Sequence, residues 1–138
     1  MSQRDASQPP FPVLPPGAGP IDADAPRDLQ ETKSGLKYRV LRKAAGKFPK
    51  VTSTVEVHYQ GWLGNGAVFD SSYERNESIG FPLNRVIAGW TEGMQLVAAG
   101  GMIELQIPGH LGYGSRGAPP DIPPNATLHF LVELLAVR

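Results

Sequence analysis

Residues 86–96 have the sequence VIAGWTEGMQL, and this segment decides the fold. Its two glycines would each cost an isolated helix about 1 kcal/mol relative to alanine. We therefore expect one short helix that is held in place by surrounding strands, with Trp90 pointing into the concave side of a sheet as the floor of an apolar pocket. Apolar residues recur at steps of three and four, which places them on one side of that helix; they are Val86, Ile87, Trp90, Met94 and Val97.

Alternating apolar and polar residues predict the strands around this helix. The clearest strand covers residues 52–63, where Val55, Val57 and Tyr59 share one face. The Gly-Asn-Gly sequence at 64–66 predicts a tight hairpin after it, because these residues adopt the positive φ that such turns need. The fold class is therefore α+β, with an antiparallel sheet of about five strands curled over one short helix. Further strands are predicted near residues 36–41, 67–70, 79–83, 102–107 and 127–137.

The N-terminal region differs in composition from the rest of the chain. Residues 1–28 contain half of the 14 prolines, together with Gly17 and Gly19, so regular structure is not expected there. We predict a disordered tail over 1–28 and a single folded domain over 29–138. The alternative is an extended strip that lies on the domain.

The last predicted strand offers a place for such a strip to dock. Leu131 and Leu135 occupy its outward side, where polar residues are the rule. We expect Phe11, Val13 and Leu14 to be the docking residues if the tail lies there. A weaker alternative is that the tail occupies the pocket and regulates it.

Composition excludes several classes of function. The 13 basic residues balance 13 acidic ones, so the net charge gives no reason to expect nucleic acid as a partner. The chain has no cysteine, which excludes disulfides and a thiol nucleophile. No apolar run approaches the roughly 18 residues that a membrane span needs, and no signal-peptide pattern begins the chain. We expect a monomer that does not bind membranes and is cytoplasmic if the chain is complete, or exported to the periplasm if a signal peptide was removed.

Motifs for covalent, nucleotide or metal chemistry are missing. His58, His110 and His129 are dispersed without ligand-like spacing, so no metal site is predicted. Neither a phosphate-binding glycine loop nor a G-x-S-x-G nucleophile elbow occurs. We therefore predict no cofactor. What remains is an aromatic pocket with a few polar groups.

The residues of this pocket lie in motifs that resemble those of the FK506-binding-protein (FKBP) family of peptidyl-prolyl cis-trans isomerases. The resemblance extends from about residue 36 to residue 137, with the motifs in family order. It implies a half-barrel of antiparallel strands around a short helix, which agrees with the fold class above. The motifs are VHYQG at 57–61, FDSS at 69–72, RN at 75–76, VIAGWTEG at 86–93, YG at 113–114 and IPPNATL at 122–128, with Phe130.

The resemblance also implies the residues of the site. In the family, the proline ring of a substrate sits over the position of Trp90, and the Ile87 N–H and Tyr113 hydroxyl bind carbonyls of ligands. Asp70 would be held by Tyr59 and Arg75. The implied catalytic residues are Tyr59, Asp70, Tyr113 and Phe130; the implied ligand-binding residues are Phe69, Arg75, Ile79, Val86, Ile87, Trp90 and Ile122.

The chain departs from the best-known small eukaryotic members at the rim of the pocket. Ile79 stands where an aromatic residue often does, Ala118 where a histidine often does, and Asp121 where an apolar residue is common. The resemblance implies that the macrolides FK506 and rapamycin can bind, and these departures predict weaker binding than in those members. The loop 108–124 is too short for the chaperone insert of some bacterial relatives, so strong chaperone activity is not expected.

Two functions fit this sequence. The first is an isomerase that acts on X-Pro bonds in proline-containing peptides or unfolded proteins and so assists folding. The second is a binding module that holds proline-containing partners in the same pocket without turnover. A structural alternative is that Tyr59, Phe69, Trp90 and Phe130 are ordinary core residues with no opening above them.

Overall fold

A computed structural model describes residues 10–138 of the chain. In this range the chain forms one antiparallel sheet and two short helices, Ser72–Arg75 and Ala88–Gly93. We call Ala88–Gly93 the central helix. Short 3-10 turns follow the strands or the central helix at Leu83–Arg85, Met94–Leu96, Gly109–Leu111 and Gly114–Arg116. The strands are β1 (Gln30–Glu31), β2 (Lys37–Arg42), β3 (Thr54–Leu63), β4 (Val68–Ser71), β5 (Ile79–Pro82), β6 (Met102–Ile107) and β7 (Leu128–Val137).

The strand order is β1-β2-β6-β7-β3-β4, and β5 also pairs with β3. The α+β class with a curved antiparallel sheet is confirmed, but the sheet has seven strands rather than about five. Two short strands share one edge of β3, because β5 pairs with its residues 54–57 and β4 with its residues 60–62. The two-residue strand β1 is too short to leave an alternating pattern.

The central helix packs closely against β6. An added Cβ at Gly89 would lie 2.6 Å from Ile107, and one at Gly93 would lie 2.6 Å from Leu105. The glycines that weaken the helix thus bring its backbone close to the sheet. The helix covers fewer residues than the apolar pattern from Val86 to Val97 predicted. Val86 and Ile87 precede it, and Met94 begins a 3-10 turn. The buried helix-side residues are nevertheless the expected ones: Trp90, Met94 and Val97.

Residues 10–28, here called the N-terminal segment, lie along the outer face of the sheet. The amide of Asp22 donates to the carbonyl of Leu41 at 2.8 Å. Over these residues the structure has the extended strip that was the alternative, and long-range contacts hold it in place. The division into a tail over 1–28 and a domain over 29–138 stays a prediction. Residues 1–9 lie outside the described range. Between the N-terminal segment and the sheet, apolar side chains form a small second core. Phe11, Leu14 and Ile21 of the segment pack there against Leu41, Met102 and Leu131 of the sheet.

The predicted docking site is thus correct only in part. Leu131 is 1% exposed and contacts the segment, whereas Leu135 stays 45% exposed. Val13 is 91% exposed and points away from the sheet.

A buried arginine also attaches the segment to the sheet. Arg39 is 1% exposed, and its Nε donates to Glu104 at 2.6 Å. Its two other nitrogens donate to the carbonyls of Arg27 and Pro10 at 2.6 and 2.8 Å. The ring of Phe11 lies 4.8 Å from the Arg39 guanidinium and 5.1 Å from that of Arg27. Burial raises the pKa of Glu104, although the hydrogen bond from Arg39 opposes the shift.

A second buried carboxylate, Glu133, joins the segment to the helix Ser72–Arg75. It accepts hydrogen bonds from Arg42 at 2.8 Å, from the Tyr73 hydroxyl at 2.6 Å and from the amide of Gly19 at 3.1 Å. Burial alone would raise the pKa of Glu133, but these donors outweigh burial and lower it. The carboxylate is therefore ionised at neutral pH and fully hydrogen-bonded.

Candidate active site

A cavity of about 470 Å³ opens on the concave side of the sheet. Trp90 and Phe130 are each 4% exposed at its buried end, whereas Tyr113 is 44% exposed at its mouth. The aromatic residues are therefore the walls of an open pocket and not a sealed core. The lining residues are Tyr59, Phe69, Asp70, Phe81, Arg85, Val86, Ile87, Trp90, Tyr113 and Phe130.

Aromatic rings around Trp90 hold one another edge to face. The Trp90 centroid lies 5.5 Å from Tyr59, 5.4 Å from Phe81 and 5.4 Å from Phe130, with interplanar angles of 90°, 74° and 89°. Phe69 meets Phe130 at 5.6 Å and 90°. Such pairs contribute about 0.5–1.5 kcal/mol each beyond their burial. The walls are therefore fixed before any ligand enters.

Gly61 makes room for two of these rings. It lies in β3, opposite Asp70 on one neighbouring strand and Phe130 on the other. An added Cβ would lie 2.6 Å from Cζ of Phe69 and 2.8 Å from Cε1 of Phe130. A side chain at this position would thus displace the rings of both Phe69 and Phe130.

Asp70 is the acidic group of the cavity, and it is held at both oxygens. The Tyr59 hydroxyl donates to Oδ2, and Nη1 of Arg75 donates to Oδ1 at 2.6 Å. The Ser71 hydroxyl accepts from the amide of Glu74, so it caps the helix that carries Arg75 back towards Asp70.

These contacts fix the charge states of the pair. Partial burial alone would raise the pKa of Asp70, but the hydrogen bonds from Tyr59 and Arg75 lower it below its ordinary value. Burial and the hydrogen bond to Asp70 raise the pKa of Tyr59 to about 12. At neutral pH the cavity therefore has an ionised carboxylate beside a protonated phenol.

Two hydrogen-bond donors at the cavity are unused. Within residues 10–138, neither the N–H of Ile87 nor the hydroxyl of Tyr113 has a hydrogen-bond partner. The carbonyl of Ile87 accepts from the amides of Trp90 and Thr91 at 2.9 and 3.1 Å, which fixes the backbone at this position. The cavity can thus accept an apolar ring and offer donors to carbonyl groups beside it.

Comparison with known proteins identifies the family. The family model of the FKBP-type peptidyl-prolyl cis-trans isomerase matches residues 45–135. The chain belongs to the FKBP family. A probable FKBP-type peptidyl-prolyl cis-trans isomerase of Haemophilus influenzae is 52% identical over 112 residues, which cover 81% of this chain and 46% of that protein. The chain spans about half the length of the curated relatives that it matches.

Solved FKBP structures have the same fold. The crystal structure of FkpA from Escherichia coli superimposes with a TM-score of 0.77 at 47% identity, over 80% of this chain and 51% of that one. The crystal structure of AtFKBP13 superimposes with a TM-score of 0.74 at 32% identity, over 80% of this chain and 99% of that one.

Most residues predicted for the FKBP site line the cavity, and three do not. Arg75 reaches the site only through Asp70 and the ring of Tyr59, whose centroid is 6.0 Å from its guanidinium. Ile79 is half-buried opposite Val57 in the sheet. Ile122 is 6% exposed and belongs to the core. Those that line the cavity are Tyr59, Phe69, Asp70, Val86, Ile87, Trp90, Tyr113 and Phe130.

Phe81 and Arg85 line the FKBP cavity but were not predicted to do so. Phe81 alternates with Ile79 and Leu83 in the sequence, which puts the three on one face of a strand, and this signal could have indicated Phe81. No sequence pattern indicated Arg85. The residues of the N-terminal segment do not line this cavity, so over 10–28 the chain does not occupy its own pocket.

Among residues 10–138, no group of three or more His, Cys, Asp or Glu side chains could hold a metal ion. In the same range, every helix is too short or too polar to cross a bilayer.

Proposed function

We propose that this protein is a peptidyl-prolyl cis-trans isomerase that acts on X-Pro bonds in flexible or unfolded chains. The observation that carries the proposal is the open aromatic cavity over Trp90, with two unused hydrogen-bond donors at its wall and mouth. Family membership supports the same reaction.

The reaction needs neither a nucleophile nor a metal. Resonance keeps the peptide bond planar, and rotation about it faces a barrier of about 18–20 kcal/mol. The two isomers before proline differ by only about 0.5–1 kcal/mol but exchange over tens to hundreds of seconds. A catalyst therefore has to bind the twisted amide better than the planar one. The twisted amide has less charge separation, so an aromatic cavity poor in water favours it.

The polar groups would orient the substrate. The Ile87 N–H and the Tyr113 hydroxyl would bind carbonyls of the substrate backbone next to proline and so place the proline ring in the aromatic cavity. Asp70 would keep Tyr59 in place and supply a fixed negative charge beside the rotating bond. Since Arg75 holds the other oxygen of Asp70, we expect it to position that carboxylate.

A protease-coupled isomerisation assay on a short proline peptide tests the proposal. We expect wild type to accelerate cis-trans exchange, and Asp70→Ala and Phe130→Ala to lower kcat/KM at least tenfold. Leu135→Ala is the control, because this leucine is 45% exposed in β7 and does not line the cavity. Thermal unfolding of each variant separates loss of the site from loss of the fold.

The second candidate is a binding module, because a fixed cavity can also hold proline without turnover. Wild-type protein that binds the peptide in calorimetry but leaves its exchange rate unchanged would favour the module.

We also propose that FK506 and rapamycin enter the same cavity. We propose further that the chain is monomeric, and sedimentation analysis would test this oligomeric state.

A further inference from the structure

Two charged residues are among those that line the cavity, and only one of them is neutralised. Asp70 forms an ion pair with Arg75 at 2.6 Å. Arg85 is exposed, and within residues 10–138 its guanidinium has no hydrogen bond or ion pair. The mouth of the cavity therefore has an unbalanced positive charge.

The backbone that carries Arg85 is fixed. Arg85 ends the 3-10 turn Leu83–Arg85 and directly precedes the lining residues Val86 and Ile87. Leu83 is fully buried. Its amide donates to the carbonyl of Ser53 at 2.9 Å, and its own carbonyl accepts from the Thr91 hydroxyl at 2.5 Å. The backbone of Arg85 is thus fixed two residues before the Ile87 N–H, where a substrate backbone would bind, and its side chain lines the same cavity.

We propose that Arg85 makes the site selective for substrates with an acidic side chain next to proline. This inference rests on the proposed function and specifies its substrate class. A carboxylate one residue away from a proline ring in the cavity would come within reach of a long, unpaired guanidinium, which forms a fork of donors suited to carboxylates. Since Arg85 is exposed, the ion pair should change kcat/KM by about twofold to fivefold.

Peptides that differ in one side chain measure this preference. Two pairs are compared, with Glu or Gln directly before proline and with Glu or Gln directly after it, and exchange is followed by NMR without a protease. We expect wild type to favour the Glu peptide of at least one pair by about twofold to fivefold at low salt, and the ratio to approach one at about 1 M salt. The ratio should be near one in Arg85→Gln and below one in Arg85→Glu.

Arg116→Gln is the matched control. Arg116 is also exposed and lies in the turn after Tyr113, but it does not line the cavity. Its removal takes away the same formal charge and should leave the Glu/Gln ratio unchanged. An equal loss of the ratio in Arg116→Gln would assign the preference to overall charge and overturn the role of Arg85.

Two further outcomes separate this inference from the proposed function. Turnover of all peptides with equal rates for Glu and Gln at both positions would overturn the inference and leave the isomerase intact. If no peptide is turned over, the isomerase proposal fails, and the dissociation constants of the same peptides are measured by calorimetry. Equal constants for Glu and Gln peptides would then overturn the inference as well.

Discussion

Replacing Gly61 with alanine should deform the aromatic cavity without removing a polar group. The new Cβ would lie 2.6 Å from Phe69 Cζ and 2.8 Å from Phe130 Cε1. Carbon atoms in contact prefer about 3.5–4.0 Å, so each ring has to retreat by about 1 Å. Phe130 already packs against Trp90 at 5.4 Å, which leaves its ring little freedom to move.

The size of the effect follows from this displacement. Overpacking a well-packed site costs about 1–3 kcal/mol of stability. A misplacement of about 1 Å in a substrate site can lower the rate by about 100-fold. We therefore expect Gly61→Ala to lower kcat/KM by about tenfold to 100-fold while the protein remains folded.

Isomerase kinetics and thermal unfolding of the same samples test this prediction. Gly64→Ala is the matched control, since an added Cβ at Gly64 meets no atom within 4 Å. That variant should keep wild-type kcat/KM. If Gly61→Ala also stays within twofold of wild type in kcat/KM, the rings are not held as the structure describes, and the cavity geometry does not determine catalysis.

Three further predictions concern the N-terminal segment, pH and macrolides. Phe11→Ala should lower the free energy of unfolding by about 1–2 kcal/mol, because the cation–π contacts with Arg27 and Arg39 are lost, and should leave isomerase activity unchanged. Val13 is 91% exposed, so Val13→Ala should change neither stability nor activity. The folded-state pKa of Glu133 is lowered, so its stabilisation is present above the unfolded pKa of about 4.3 and is lost as pH falls through the folded pKa. Denaturant titrations between about pH 2 and 5 should therefore show a shallower fall in stability for Glu133→Gln than for wild type, and parallel curves would contradict the assignment. Calorimetry should show weaker FK506 binding than in small eukaryotic members, because Ile79 and Ala118 replace residues that are often an aromatic and a histidine there and Asp121 adds a charge; equal or tighter binding would refute this.

Much of the fold could be predicted from local patterns. The prediction of the inward face of β3 is confirmed, since Val55, Val57 and Tyr59 all belong to the core. This face could be predicted because side chains alternate with period two as a direct consequence of strand geometry. Trp90 was placed correctly over the concave face because its helix had only one apolar side. The strand β1 was not predicted because its two residues are too few to show a period.

The contributions of long-range contacts could not be predicted. The N-terminal segment has the composition of a disordered tail, and its order depends on partners more than ten residues away, such as Leu41 and Glu133. Arg85 lines the cavity because a turn anchored by Leu83 holds it there, and no spacing rule indicates that. Motif residues alone likewise could not show that Ile122 is buried in the core.

The pairing of β2 with β6 affects how the domain can be shortened. The family match begins at residue 45, but β2 ends at Arg42 and pairs with β6 from Lys37 to Arg42. A fragment trimmed to the matched residues would keep the pairing of β6 with β7 but would leave the other edge of this largely apolar strand without a neighbour. Such edges recruit strands from other molecules, so that fragment should aggregate even though it retains every residue that lines the cavity.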